Sequence, residues 1–384
     1  MDRPDQIVLL VIAGFIVLAS LGLWLKAAYR IWHHEPLLAA VSRRPVPWTI
    51  LELLLIGLLG FITLQVAYIV AQHSFGLPTN LSDLEAMSPR QQITMTATFG
   101  IASLLTWVLA MLICRGVAKA SWSDLGLATP NLTHDLKIGL AGFAMLSVPM
   151  LSLHMLLHLM FQGSEQHPFI ELLMKDPQIG FLLPIAFVAI FVAPLMEETF
   201  FRLILQGWLE RVIAAWERQT LRPDLAQVPP ARQLLEAHPD ITLSPEPSES
   251  PPDTLIEQGS FSTGVERVPT TEDLNPYRSP LEASPVAIAA ESCDASDLDE
   301  TCGVGGLGLP TTRRGRWVPI GISATLFALA HVGQGPAPIP LFLLAVGLGY
   351  IYQRTHRILP CILIHFLVNL TAMVQLALEV WHHQ

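Results

Sequence analysis

Polar and apolar residues are sorted along this chain in whole segments. Long apolar runs occupy 7–25, 48–71, 94–114, 138–161 and 180–209, and shorter ones come after a polar interval at 317–332, 341–352 and 361–380. A helix needs about 20 mostly apolar residues to cross the hydrocarbon core of a bilayer. The pattern therefore predicts an all-α fold, a polytopic transmembrane helix bundle of about eight spans. The fifth run is long enough to be tilted, kinked at Pro194 or split. The first begins near the N-terminus, yet it is long, is followed by Lys26 and Arg30, and shows no small-residue cleavage site. It reads as a retained anchor rather than a removed signal peptide.

Between the two groups of runs the character of the chain changes. Over 217–300 there are 12 prolines, and 17 acidic residues stand against 5 basic ones. Such a stretch has too little apolar surface to offset the entropy of ordering it. The expected organisation is a first membrane part at 1–216, a disordered acidic Pro/Ser-rich insertion at 217–316, and a second membrane part at 317–384. Composition agrees: 52% of the 384 residues are hydrophobic and 14% charged, and mean hydropathy is +0.48. These values set the chain apart from soluble domains. The net charge of −10 belongs to the insertion, which leaves the membrane parts near neutral.

Loop charges set orientation. Lys26, Arg30, Arg43 and Arg44 follow the first run, Arg115 and Lys119 the third, Arg211, Arg218 and Arg222 the fifth, and Arg354 and Arg357 the seventh. The loops after the second and fourth runs carry Asp83, Glu85, Glu165, Glu171 and Asp176. Both termini are thus expected outside and the insertion in the cytoplasm, in a multi-pass integral protein of a bacterial plasma (inner) membrane. Trp48, Trp107 and Trp317, near run ends, suit an interfacial aromatic belt. Cys114, Cys293, Cys302 and Cys361 form no CxxC pair, so neither a disulfide framework nor a zinc ribbon is indicated.

Three polar constellations interrupt the apolar runs. Glu197-Glu198-Thr199-Phe200-Phe201-Arg202 sets two carboxylates and an arginine in the fifth run. Ionisable groups at membrane depth cost roughly 2.5–3.5 kcal/mol each on insertion scales, so they need a reason. Glu198 and Arg202 are four apart and share a helix face. Glu197 lies about 100° round from that face, free to point elsewhere. Phe327 and His331 share a face in the sixth run, and His365 and Asn369 in the eighth. A glutamate, two imidazoles and an amide are the inventory for activating water and stabilising an oxyanion. A buried structural network of Glu197, Glu198 and Arg202 is the competing reading of the first cluster. His154 and His158, four apart in the fourth run, have a spacing that could bind metal but read as interior or interfacial residues.

In this order, Glu-Glu-x-x-x-Arg, Phe-x-x-x-His and His-x-x-x-Asn resemble the motifs of the CPBP family of intramembrane glutamic endopeptidases. That family includes the prenyl-protein proteases of the Rce1 type and bacteriocin-immunity proteins. The resemblance covers three short motifs spread over 197–369, and the first four runs add nothing to it. It implies that Glu197 is the general base, with His331 as its partner. It further implies that His365 and Asn369 stabilise the oxyanion, with Glu198, Arg202 and Phe327 in support. Leu203 departs from the pattern, since many relatives carry glycine there.

The expected function is that of an intramembrane endopeptidase, a hydrolase cutting a peptide or membrane-anchored protein without metal or other cofactor. The alternative is a catalytically silent scaffold or immunity-type protein of the same fold. A metalloprotease using Glu197, His331 and His365, and a transporter relaying protons through Glu197 and His331, are further rivals. Expected partners are a peptide or protein substrate and the lipid bilayer, with no nucleic acid; a partner for the acidic insertion is not named by its sequence.

Overall fold

The structure is a computed structural model that describes residues 4–41, 44–78, 87–128, 132–160, 179–221 and 312–382. Two units divide the chain, Met1–Glu217 with Val304–Gln384, and Arg218–Gly303. Of the second, only 218–221 falls among the described residues, and the first builds the helix bundle. The expected insertion lies outside the described residues apart from its edges.

Every regular element among the described residues is a helix. The order is α1 (Pro4–Trp32), α2 (Ile50–Phe75), α3 (Pro89–Gly116), α4 (Leu132–Met160), the composite rod α5, then α6 (Arg313–Leu329), α7 (Pro338–Thr355) and α8 (Ile358–His382). The rod α5 joins α-helical Ile179–Phe187, Ala193–Glu198 and Gly207–Leu221 through two π-helical stretches, Val188–Val192 and Thr199–Gln206. Thus the fifth run is not split: its helix runs on through Pro194, with π-helical stretches before and after the acidic pair. Among the described residues six helices, α1 to α5 and α8, are long and apolar enough to cross a membrane, and the chain is an integral membrane protein. The shorter α6 and α7 are also the helices richest in inward-facing residues.

That inward position explains the core. Leu344, Leu348 and Tyr352 of α7 are fully buried with Leu203 and Ile204 of α5, Ile358, Cys361 and Ile364 of α8, and Trp48. At the periphery α1 packs on α4, where Trp24 donates to the Met145 carbonyl at 3.0 Å. Elsewhere α1 leaves Val11, Phe15 and Leu18 exposed, a face that suits acyl chains. Helices α4 and α8 approach closely because Gly139 and Gly142 have no Cβ; one added there would lie 2.6 Å from Leu363 and 2.5 Å from Ile364. Lipid gives no hydrophobic drive to helix association, so contact through small residues matters.

The tryptophans correct one expectation. Trp48 is fully buried and donates to the Ile204 carbonyl at 3.1 Å, and Trp107 donates to Thr199 Oγ1 at 3.1 Å. Both serve the interior of the bundle, because an indole N–H at a run end can turn inward when an interhelical acceptor is in reach. Trp317, stacked on Tyr350, stays half exposed.

Arginines gather the loops at one end of the bundle. Arg211 Nη1 donates to the carbonyls of Val46, Pro47 and Trp48, and Arg354 to that of Leu38. Arg357 pairs with buried Asp135 at 2.5 Å through both nitrogens. Thr312, the N-cap of α6, donates its hydroxyl to Glu217, and a Cβ at Gly315 would collide with the same carboxylate. This contact ties the last turns of α5 to the start of α6.

In the loop after α3, Arg44 grips Asp124 at 2.5 and 2.9 Å, and Ser121 donates to the same carboxylate. Burial alone would raise the Asp124 carboxyl, but the bonds from Arg44 and Ser121 outweigh it and hold it below the ordinary carboxylate value. A depressed folded value contributes stability above the unfolded value and loses it as pH falls through the folded one. Hydrogen exchange of 117–128 is therefore expected to stay slow from neutral pH down to the ordinary carboxylate range and to quicken below it. Asp124→Asn should exchange fast at every pH; a pH-independent native loop would contradict the assignment.

Candidate active site

The three constellations meet. Glu198 and Arg202 are fully buried and pair at 3.1 Å across one helical turn. Arg202 Nη1 reaches Ser323 Oγ on α6 at 3.3 Å, and its guanidinium lies 5.0 Å from the centre of the Phe327 ring. Ser323 donates in turn to the Phe201 carbonyl at 2.8 Å. Phe201 meets the edge of Phe327 at 5.2 Å, and Phe327 touches both His331 and His365. The charge of Arg202 is thus spent on one carboxylate, one hydroxyl and one aromatic face.

Glu197 points elsewhere. Its Oε2 makes no hydrogen bond although it is buried, and it faces His331 Nε2 at 3.9 Å and His365 Nε2 at 3.7 Å. The rings' other nitrogens identify the tautomers. His331 Nδ1 lies 2.8 Å from the Phe327 carbonyl, and His365 Nδ1 lies 2.8 Å from Glu198 Oε1. Carbonyls and carboxylates only accept, so both Nδ1 atoms carry the hydrogen. Both Nε2 atoms are therefore turned toward one carboxylate oxygen, each bearing a lone pair when the ring is neutral and a proton when it is charged. Separations of 3.7 and 3.9 Å exceed a direct hydrogen bond, and a small hydroxylic molecule can bridge them. The group can take a proton from such a molecule and return it.

Asn369 stands one turn beyond His365 and donates from Nδ2 to the Ala189 carbonyl at 2.8 Å. Six of the expected residues, Glu197, Glu198, Arg202, Phe327, His331 and His365, are therefore joined by direct contacts, and the seventh, Asn369, bonds the backbone of α5 instead. Glu197 and His331 keep side-chain exposures of 26% and 16%, whereas His365 keeps 3%. Leu203 is core packing beside Ile204. Ser323 was not singled out by sequence, though it sits one turn before Phe327 on the same face.

A second polar group continues down α5. Gln206 donates to Glu210 at 3.0 Å and to the Gly349 carbonyl at 2.9 Å, while Gln353 donates to the Arg316 carbonyl at 2.7 Å. These bonds lock α5, α6 and α7 below the site. Among the described residues, no group of three or more His, Cys, Asp or Glu side chains is spaced to hold a metal ion. Cys114 and Cys361 are free and buried, and His154 is exposed on α4.

Comparison with known proteins agrees with the motifs. The family model of the Rce1-like type II CAAX prenyl endopeptidases matches residues 304–371. That stretch holds Phe327, His331, His365 and Asn369, the second and third motifs. No characterised protein and no solved structure matches the chain. Family-level similarity supports a CAAX-type intramembrane protease, a hydrolase acting on a peptide or protein substrate.

Proposed function

We propose that the chain is a glutamic intramembrane endopeptidase that hydrolyses a peptide bond of a peptide or membrane-anchored protein. The observation that carries this reading is the convergence of two Nδ1-protonated imidazoles on the unpartnered oxygen of Glu197. Water placed among these atoms loses a proton to Glu197, with His331 Nε2 sharing it. The hydroxide adds to the scissile carbonyl carbon. The oxyanion is met by His365, which donates from Nε2 when protonated, and by the amide of Asn369. Collapse breaks the C–N bond, and the proton held by Glu197 and His331 goes to the leaving amine. Glu198 keeps the His365 ring turned, Arg202 keeps Glu198 in place, and Phe327 packs between the two rings. The scheme needs no metal; stoichiometric zinc in the purified protein would favour the metalloprotease instead.

The same reading takes α6 and α7 as the sixth and seventh of eight spans, with both termini outside and the insertion cytoplasmic in a bacterial plasma membrane. The test is a terminal-peptide survey of membranes from cells carrying the native chain or Glu197→Gln. New termini made only by the native chain, in equal amount and equally folded, are expected and would identify the substrate. Identical surveys would favour the catalytically silent scaffold or immunity-type reading.

A further inference from the structure

The first π-helical stretch of α5 leaves a carbonyl to be accounted for. The N–H of Ala193 reaches back five residues to the Val188 carbonyl. In that register the Ala189 carbonyl would receive the N–H of residue 194, and residue 194 is proline, which has none. A backbone carbonyl without a donor, away from water, costs about as much as a lost hydrogen bond. Asn369 of α8 supplies the donor at 2.8 Å. The same wide turn also touches α8 through Phe191, whose ring centre is 4.9 Å from that of Phe366.

From this juxtaposition we infer that Pro194 is a positioning residue for the site: by withholding an N–H it leaves the Ala189 carbonyl to Asn369. The resulting strut fixes the Asn369 amide and the phase in which α5 presents Glu197. An amide nitrogen has two hydrogens. One is committed to Ala189, and because the group is planar the direction of the other is then set relative to α5. Glu197 follows three residues after Pro194, so the turn that carries the strut also sets which way the base faces. The catalytic part of this inference rests on the proteolytic reading; the strut itself does not.

The experiment is a four-member cycle of native protein, Pro194→Ala, Asn369→Ala and the double variant, purified in detergent. Thermal unfolding reads the strut. Asn369→Ala is expected to lower the melting temperature in the native background and to change it little in the Pro194→Ala background, where residue 194 offers its own N–H. Pro194→Gly, which restores the same N–H, should behave as Pro194→Ala does. Kinetics on a fluorogenic peptide bearing a prenylated cysteine near its C-terminus read the catalytic part. Pro194→Ala should lower kcat about fivefold to tenfold with KM within about twofold, and the double variant should be no slower than Asn369→Ala. Additive melting shifts, or rate losses that multiply, would overturn the inference. Coupled melting shifts with a peptide that the native protein leaves intact would support the strut and count against the proteolytic reading. Cleavage with additive shifts would do the reverse.

Discussion

Glu197→Gln in the purified protein is expected to lower cleavage by about 10²–10⁴-fold, the range that a positioned general base contributes. The substitution keeps the length of the side chain and replaces the oxygen that faces both Nε2 atoms with a group that cannot take a proton. Stability should hardly change. Among the described residues no arginine lies within hydrogen-bond reach of Glu197 and its Oε2 makes no hydrogen bond, so neutralising it orphans none of them. The melting temperature of the variant should therefore stay near native while turnover collapses. His331→Ala should show a smaller loss, and adding it to Glu197→Gln should cost little more, because residues acting as a unit on one water do not lose rate additively. A Glu197→Gln protein that cleaves at the native rate would remove the carboxylate from the mechanism.

Much of this division of labour was legible from spacing. Positions 198 and 202, four apart, can pair on one helix face, and a neighbour about 100° round is left off that face. That reasoning gives Glu198 a partner and leaves Glu197 without one, and the ion pair at 3.1 Å agrees with its first half. What spacing could not supply was distance between helices. The His-x-x-x-Asn pair lies on one face of α8, but His331 stands in the turn just past the end of α6, not on its face, and only the packing of these elements against α5 decides that both imidazoles share one oxygen. The tautomer of His365 is equally a tertiary fact, since its Nδ1 meets Glu198 only in the folded chain, whereas that of His331 is set locally by the Phe327 carbonyl four residues earlier.

The helices were legible for a similar reason, and their irregularities were not. A proline in an apolar run signals a break in local terms, and Pro194 does disturb the α register. In the continuous rod a side chain from α8, 175 positions later in the chain, donates to the Ala189 carbonyl. Trp48 and Trp107 misled in the same way. Their places near run ends suit the interface, whereas the acceptors at Ile204 and Thr199 become available only once α5 lies alongside.

Loss of Arg202 is expected to be the most damaging single change to stability. In Arg202→Leu the buried Glu198 keeps only the Nδ1–H of His365 and loses its opposite charge at 3.1 Å. Breaking a buried ion pair from one side typically costs about 3–5 kcal/mol, against a total stability of about 5–15 kcal/mol for a folded domain. Arg202→Lys should recover only part. A lysine restores the charge but not the planar fork that meets Glu198 and Ser323 while lying against Phe327. A double variant, Arg202→Met with Glu198→Leu, separates the two duties of the pair. Removing both charges should return much of the melting temperature, because no uncompensated charge is left buried. Activity should not return with it, since His365 then has no acceptor for its Nδ1–H and its Nε2 is no longer aimed at Glu197. Were the double variant to regain activity along with stability, Glu198 would be a packing residue and the orientation of His365 would have to come from elsewhere in the bundle.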